Sequence, residues 1–389
     1  MRRTQTTPFA RDDYALVPYR EVPRVCVVGA GNGGLAMAAH LALKGLPVFL
    51  YSRNEEKVAP IRKAGGIYLH GAMEGFGRIE LASTDLEECV QNADVIMVTT
   101  PACAHAQVAT ALAPFVDGHI VVLNPGRTGG ALEVHHIFQQ MGARATVAEA
   151  QTFIYASRAE SPTSARIFEI KRVVPVAAFP AVKTHAVMRQ LQRVYSQFVP
   201  AHNVLETSFS NIGAVFHPTP LILNACKVDT GVCFDYYREG VTPSVAELME
   251  RVDAERVAVA AALGLRVLTA REWLYEAYGA RGGNLYEAIQ NNGAYTGIKA
   301  PTTLDHRYIY EDVPTGLVPI ASFGRVAGVP TPYTESLIQM ACGLHGTDYR
   351  KVGRTVERLG LAGMRPGEIY EYVITGVRTR ACAGVESLN

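Results

Sequence analysis

One stretch, Arg24-Val-Cys-Val-Val-Gly29-Ala-Gly31-Asn32-Gly33-Gly34-Leu-Ala-Met37, constrains the fold more than any other part of the chain. Val25 to Val28 are uniformly apolar, as in a strand buried on both faces of a parallel sheet. A glycine turn follows, then an Ala/Leu/Met-rich helix from about Gly33 to Lys44. Gly29, Gly31 and Gly34 fit G-x-G-x-x-G. The first glycine permits the tight turn, the second lets a pyrophosphate approach the backbone, and the third lets the helix lie close to the strand. The exposed N–H groups at the helix start, Asn32 and Gly33 among them, then bind the phosphates. A second apolar strand, Pro47 to Tyr51, comes about twenty residues on; this context separates a dinucleotide fingerprint from a glycine-rich turn with no ligand.

The residues after that second strand bear on the choice of cofactor. An Asp or Glu there would hold the ribose 2′-hydroxyl of NAD. The chain has Tyr51-Ser52-Arg53-Asn54, with Lys57 one helical turn later and no carboxylate at the tip. A hydroxyl and two cations suit a 2′-phosphate, so Ser52, Arg53 and Lys57 favour NADP(H) over NAD(H). With Glu55 and Glu56 beside them, the alternative is that Arg53 and Lys57 are merely solvated.

Strands and helices then alternate. Asn54 to Ala64 reads as a helix closed by Gly65-Gly66, and 67–84 as short strands and loops. Asp85 caps an acidic helix to Gln91, and Asp94 to Thr100 is a buried strand ended by Pro101. Residues 103–113 read as helix, His119 to Asn124 as strand, and the stretch after Pro125-Gly-Arg-Thr-Gly-Gly130 as helix to about Gln140. This alternation predicts right-handed βαβ units and a parallel sheet. The strand ends at Gly29, Thr100 and Asn124 should face one crevice, where such sheets bind ligands. Three β-rich pieces follow, Ala145–Ala150, Arg166–Lys171 and Val173–Phe179, expected as a mixed or antiparallel edge of the same sheet. Ala181 to Phe198 reads as an amphipathic helix.

From there the chain is helical: Thr242-Pro243 to Gly264, with Val245, Leu248, Val252 and Val259 on one stripe, then 270–278, 285–290, 334–342 and 348–359. The fold class is α/β: an N-terminal Rossmann-type dinucleotide-binding domain plus a C-terminal all-α domain. The expected division is a flexible arm over 1–20, a cofactor domain over 21–205 and a substrate domain over 206–389. The arm has the charge of a signal peptide but no apolar core region.

With 37 Lys+Arg against 36 Asp+Glu the net charge is +1, which gives no electrostatic case for nucleic acid or a membrane surface. No apolar run is long enough to span a bilayer. Seven scattered cysteines with no Cys-x-x-Cys pair read as reduced thiols in a cytoplasmic protein, and no metal site is expected. The long apolar helix over 243–263 is a core helix or the seam of a homodimer.

Two stretches can carry chemistry. His217-Pro218 sits at the junction of the halves, and proline should push His217 out of the helical region. A histidine near the nicotinamide can donate a proton to a carbonyl or carbinolamine oxygen. A buried histidine bonded to a carbonyl is an equal account of any one of the eleven histidines. The second stretch, Pro301 to Gly316, is dense in charge and aromatic rings. Arg307 can hold a substrate carboxylate, and Asp312 can orient a histidine and keep it protonated; an ordinary ion-pair cluster is the alternative. Pro301, Pro314 and Gly316 argue against one continuous helix there. Asn124 positions nicotinamide or substrate, or simply forms a turn, and Arg127 and Arg158 are carboxylate partners or structural ion pairs.

Taken together, Gly29-Ala-Gly-Asn-Gly-Gly34, Asn124-Pro-Gly-Arg-Thr-Gly-Gly130, Glu149-Ala-Gln-Thr with Tyr155-Ala-Ser-Arg158, Asn211 with His217-Pro218, and Arg307-Tyr-Ile-Tyr-Glu-Asp-Val-Pro-Thr-Gly316 give a resemblance. Over roughly residues 24–365 the chain resembles the octopine/nopaline dehydrogenase family, the NAD(P)-dependent opine dehydrogenases. The resemblance implies a His217–Asp312 catalytic dyad, Arg307 binding a carboxylate, and Asn211 and Asn124 on the substrate side. It implies a reaction that joins the amino group of an amino acid to a 2-oxo acid, often pyruvate, and reduces the imine with a nicotinamide hydride. Family members differ in cofactor, so the resemblance leaves NADP against NAD open. Two rivals remain. A keto reductase of the ketopantoate or glycerol-3-phosphate type would need a catalytic lysine, Lys227 or Lys299. A non-enzymatic sensor of NADP(H) would bind without turnover.

Overall fold

A computed structural model describes residues 19–378. Positions 1–18 of the expected arm lie outside the described residues, as does Cys382. The chain opens with strand β1 (Val25–Val28), helix α1 (Asn32–Leu43), β2 (Val48–Tyr51) and α2 (Glu55–Ala64). Asn54 caps α2 by accepting from the Glu56 N–H. Then come β3 (Gly66–Gly71), β4 (Gly75–Arg78), β5 (Leu81–Ser83) and α3 (Leu86–Val90), the last capped by Asp85. β6 (Val95–Val98), α4 (His105–Leu112), β7 (Asp117–Leu123), α5 (Gly130–Gln140) and β8 (Arg144–Ala150) continue the alternation. β9 (Tyr155–Ser161), β10 (Ser164–Ile170), β11 (Val174–Phe179), α6 (Thr184–Val194) and β12 (Phe198–Pro200) end the sheet half.

The main sheet has eight strands in the order β12-β11-β8-β7-β6-β1-β2-β5. From β5 to β8 every pairing is parallel, and β11 runs antiparallel to β8. Strand order reverses at β1, so the crevice of a doubly wound sheet opens above the ends of β1 and β6. The fold is the α/β Rossmann-type domain followed by helices that the sequence implies.

The mixed edge is only half as expected. β8 and β11 pair antiparallel on the main sheet. β10 instead joins a separate sheet of order β4-β3-β10-β9, running parallel to β3. β9 has no signal of its own, because its residues, Tyr-Ala-Ser-Arg-Ala-Glu-Ser, lack the regular alternation of large apolar and polar side chains that marks a strand. It pairs only with the next strand, β10, as an antiparallel hairpin, and β10 in turn attaches it to β3. The amphipathic helix expected to reach Phe198 stops at Val194, and buried Phe198 leads an edge strand that accommodates Pro200.

The helical half comprises α7 (Val204–Phe209), α8 (Gly213–Phe216), α9 (Pro218–Leu223), α10 (Ala225–Asp229), α11 (Pro243–Ala262), α12 (Ala270–Tyr278) and α13 (Leu285–Gln290). It ends with α14 (Arg307–Tyr310), α15 (Val318–Ala327), α16 (Pro332–His345), α17 (Tyr349–Val352) and α18 (Pro366–Thr375). The helix expected over 348–359 shrinks to α17, because Gly353 turns extended and Arg354 goes inward. Pro314 and Gly316 do not break the 307–327 stretch but are absorbed in a π turn, Val313–Leu317, between α14 and α15. Among the described residues no helix is long and apolar enough to cross a membrane.

Alternate residues of the central strands feed two cores. Val25, Val27, Val95 and Met97 pack with α1. Cys26, Val28, Ile96 and Val98 share a core with Phe209, Phe216 and Leu221 of the helical half. The two halves are thus joined by continuous apolar packing as well as by the site.

His135 on α5 is half-buried against the Phe179 ring, 4.4 Å between centroids. Burial, with the Lys183 charge, pulls its pKa down to about 4. The folded state therefore refuses a proton that the unfolded chain accepts below about 6.5. Its contribution is present above about 6.5 and is lost as pH falls toward 4. Between pH 7 and 5 the native state is expected to lose about 2 kcal/mol through this residue alone, and less in a His135→Phe variant, by urea denaturation at both pH values.

Candidate active site

The glycine turn meets its spatial demands directly. Gly29 has φ 117° and donates its N–H to Tyr51 O at 2.9 Å. A Cβ on Gly34 would lie 1.7 Å from Gly29 O, and one on Gly33 2.5 Å from the Phe153 ring. A Cβ on Gly31 would meet nothing within 4 Å. That open side, above a helix start with no side-chain cap and no acidic residue, is where a pyrophosphate fits. Asn32 has its side chain committed elsewhere: its Oδ1 accepts from Ala159 N–H at 3.0 Å, so only its backbone serves the turn.

Beyond β2, Ser52 is nearly buried and its hydroxyl accepts from Asn54 N–H at 3.3 Å. Arg53 is exposed and donates to Gln107 at 3.0 Å; Lys57 is exposed on α2. Glu55 pairs with Arg62 at 3.0 Å instead of neutralising these cations. At the strand ends, Thr99 Oγ1 donates to Val28 O at 3.0 Å, tying β6 to the turn. The Thr100 hydroxyl and Asn124 Oδ1 are buried without a partner. The Asn124 amide nitrogen is turned back to Val122 O at 3.0 Å. Two unsatisfied buried oxygens at the crevice are the kind of group that a bound nicotinamide or substrate satisfies.

His217 joins α8 to α9. Its backbone is helical, φ −98° and ψ −56°, contrary to the extended conformation expected before proline. Its N–H still bonds Gly213 O at 3.0 Å, while its C=O leaves the helix to accept from the Tyr236 hydroxyl. Pro218, with no N–H to satisfy, then starts α9. The imidazole Nδ1 lies 2.8 Å from Asp312 Oδ2, and the ring stacks on Tyr308 at 4.1 Å and 13°. Asp312 is fully buried, and burial alone would push its pKa up; the charges of Arg127, His217 and Arg307 outweigh this and hold it below the usual range. An ionised Asp312 makes Nδ1 the donor. Nε2, on the partly exposed edge of the ring, is then free to exchange a proton with a ligand.

Arg127 is the hub of this arrangement. It is the only non-glycine residue with positive φ among the described residues, 60°. Its Nη1 donates to Asn211 Oδ1 at 3.1 Å and sits 3.3 Å from Asp312 Oδ1; its Nε is 3.7 Å from Glu311. The Asn211 amide nitrogen donates to Thr128 at 3.3 Å. Both ends of that amide are therefore held by protein, and Asn211 supports Arg127 rather than presenting a free group. Arg307 is half-exposed and pairs through Nη2 with buried Glu311 at 2.6 Å. Glu311 also accepts from Ala102 N–H at 3.0 Å. One edge of the Arg307 guanidinium is thus fixed and the rest faces outward, a fit for a carboxylate. Arg158 stands exposed on β9, outside the cluster. So do the lysines of the keto-reductase reading: Lys227 lies over the Phe234 ring, and Lys299 pairs with Asp235 at 2.7 Å.

Three residues that sequence reading missed hold this site. Glu311 ties Arg307 and Arg127 to the Ala102 backbone. Arg354 is buried and donates to Glu133 at 2.8 Å, to the carbonyls of Gly126, Thr128 and Ala102, and to His105 at 3.0 Å. Glu149 accepts from Ala131 N–H and from the hydroxyls of Thr207 and Ser208. Burial raises its pKa to about 7. Glu149 lies in the Glu149-Ala-Gln-Thr stretch and Glu311 in the Arg307–Gly316 stretch, which were the available signals; nothing local marks Arg354.

Residues 200–345 match the family described as NAD/NADP octopine/nopaline dehydrogenase, alpha-helical domain, and residues 25–174 match ketopantoate reductase PanE/ApbA. The chain is 42% identical over 341 residues to an opine dehydrogenase of Arthrobacter sp. (strain 1C), covering 87% of this chain and 95% of that one. A structure of octopine dehydrogenase with NADH and L-arginine superposes with a TM-score of 0.77 at 21% identity, covering 92% of this chain and 99% of that one. An NADP+-bound yersinopine dehydrogenase does so with a TM-score of 0.71 at 16% identity, covering 91% and 98%.

Proposed function

This chain belongs to the octopine/nopaline dehydrogenase family, and on that premise we propose that it condenses an amino acid with pyruvate and reduces the resulting imine with NADPH. The enzyme is an opine dehydrogenase, an NAD(P)H-dependent oxidoreductase acting on CH–NH. One observation carries the assignment of the chemistry: Arg127 pairs with Asp312, and Asp312 with Nδ1 of His217, which leaves Nε2 free.

The reaction sets three tasks. The donor amine must lose a proton before it attacks the 2-oxo carbon, and Nε2 of His217 accepts it. The carbinolamine must then lose water, and the same nitrogen returns the proton to the departing hydroxyl, a step worth about 10²–10⁴-fold. Asp312 stabilises the imidazolium in between, while Arg127 keeps Asp312 ionised. Arg307 holds the carboxylate of the 2-oxo acid. The dinucleotide supplies the hydride to the imine carbon, and the Gly29–Gly34 turn with Thr100 and Asn124 aligns it.

NADPH is favoured because Arg53 and Lys57 have no carboxylate of their own at the β2 tip. Arg53→Ala is expected to raise the KM for NADPH about 10- to 100-fold and to leave that for NADH nearly unchanged, as steady-state kinetics with both cofactors would report.

The direct test mixes purified protein with pyruvate, pooled amino acids and NADPH or NADH, then identifies products by mass spectrometry. A new secondary amine, formed faster with NADPH, is the expected product. Lactate alone would move the assignment to a keto reductase, and cofactor binding without oxidation would move it to a sensor.

A further inference from the structure

Imine formation brings two carboxylates into the crevice, one from each substrate, yet the cluster around His217 has a free guanidinium edge for only one. Arg127 is spent on Asp312 and Asn211. A third cation stands at the same edge of the sheet. Residues 151–153 leave the end of β8, which runs parallel to β7 and β6, so this corner lies beside Thr100 and Asn124. Lys171, just past β10, places its ammonium in the corner, donating to Thr152 Oγ1 and Phe153 O at 2.8 Å each. The Phe153 ring lies against Gly33, and Gln151 donates to Ser210 O at 3.3 Å, beside Asn211. The ammonium therefore sits between the dinucleotide turn and the catalytic junction. Two of its three N–H groups are taken and one remains.

Resting on the imine-reducing reading above, we propose that Lys171 binds the α-carboxylate of the amino acid donor while Arg307 takes that of the 2-oxo acid. The charges around Lys171 are Glu169 near the end of β10, with Tyr278 of α12 facing that carboxylate, and Arg127 across the corner. Burial brings the Lys171 pKa down to about 8; Glu169 opposes this and Arg127 adds to it.

Lys171→Met is expected to raise the KM for the donor about 10- to 100-fold, with the KM values for pyruvate and NADPH held within about twofold. Lys171→Arg is expected to restore donor binding. The ratio of wild-type KM to Lys171→Arg KM should climb above about pH 8, as the lysine but not the arginine loses its charge; the titration of the donor amine cancels in this ratio. A flat ratio, or a Lys171→Met defect confined to NADPH, would overturn the proposal, the latter by assigning the cation to a cofactor phosphate. Acetylation of Lys171 by acetic anhydride at pH 8, read on its peptide by mass spectrometry, needs neither turnover nor a folded variant. Protection by donor, pyruvate and NADPH together, beyond that by NADPH alone, supports the assignment, and unchanged labelling sinks it. A wild-type protein that forms no secondary amine would refute the functional reading by itself, and the labelling result would still decide Lys171.

Discussion

His217→Ala is expected to lower kcat by about 10²–10⁴-fold, Asp312→Asn to do nearly the same, and the double variant to be no worse than His217→Ala. The reason is geometric. Asp312 Oδ2 receives the Nδ1 hydrogen at 2.8 Å, which fixes which nitrogen faces the substrates. An asparagine can offer its amide N–H to Nδ1 instead and so move the hydrogen to Nε2, the wrong tautomer for taking a proton from the donor amine. It also removes a negative charge 3.3 Å from Arg127. Because the two residues act as one unit, their losses should not add. Single-turnover rates with saturating NADPH would separate this from a binding defect, since cofactor affinity depends on the glycine turn. Multiplicative losses in the double variant would mean that Asp312 has a role apart from His217. Lys227→Ala, on the surface over Phe234, is expected to keep full activity.

Arg354→Met should cost about 3–5 kcal/mol of stability. The guanidinium is almost completely buried and reaches across from the helical half to grip Glu133 and three backbone carbonyls of the sheet half. Removing it strands the Glu133 carboxylate, which is nearly buried, and leaves those carbonyls without a donor. Gly126 and Thr128 flank Arg127, so the hub of the site loses its footing as well. Urea denaturation would show the lower midpoint, and kcat should drop at temperatures where the variant is still folded. The exposed Arg358, which bonds only local carbonyls, provides the contrast: Arg358→Met is expected to change stability by less than about 0.5 kcal/mol. Equal effects at the two arginines would show that Arg354 is not the clamp between the halves.

Much of the protein was legible in its residues. Period and punctuation located β1, α1, β2, α5 and α11, because buried parallel strands are short apolar runs and helices carry caps and stripes of their own. Gly29, Gly31 and Gly34 were legible because each answers a local demand of the backbone. His217 and Asp312 were each singled out from their own stretches, but their pairing came from resemblance, and the 2.8 Å contact joins residues that no local pattern relates.

What the sequence did not contain was pairing at a distance. β9 and β10 form a local hairpin, and that hairpin belongs to a second sheet only because β3, far earlier in the chain, accepts β10. Asn211 was read as a substrate residue, but its amide serves Arg127. Arg354 carried no signal at all, since a buried arginine is recognisable only once the carbonyls it satisfies have been brought together. The sequence by itself determined the local elements and the dinucleotide turn, which depend on short-range backbone geometry, and its resemblance to a family implied the class of reaction. The tertiary structure decided which charges neutralise one another, and therefore which are left for substrate. Burial and ion pairing depend on three-dimensional neighbours, and Coulomb energies act through space, without regard to order along the chain.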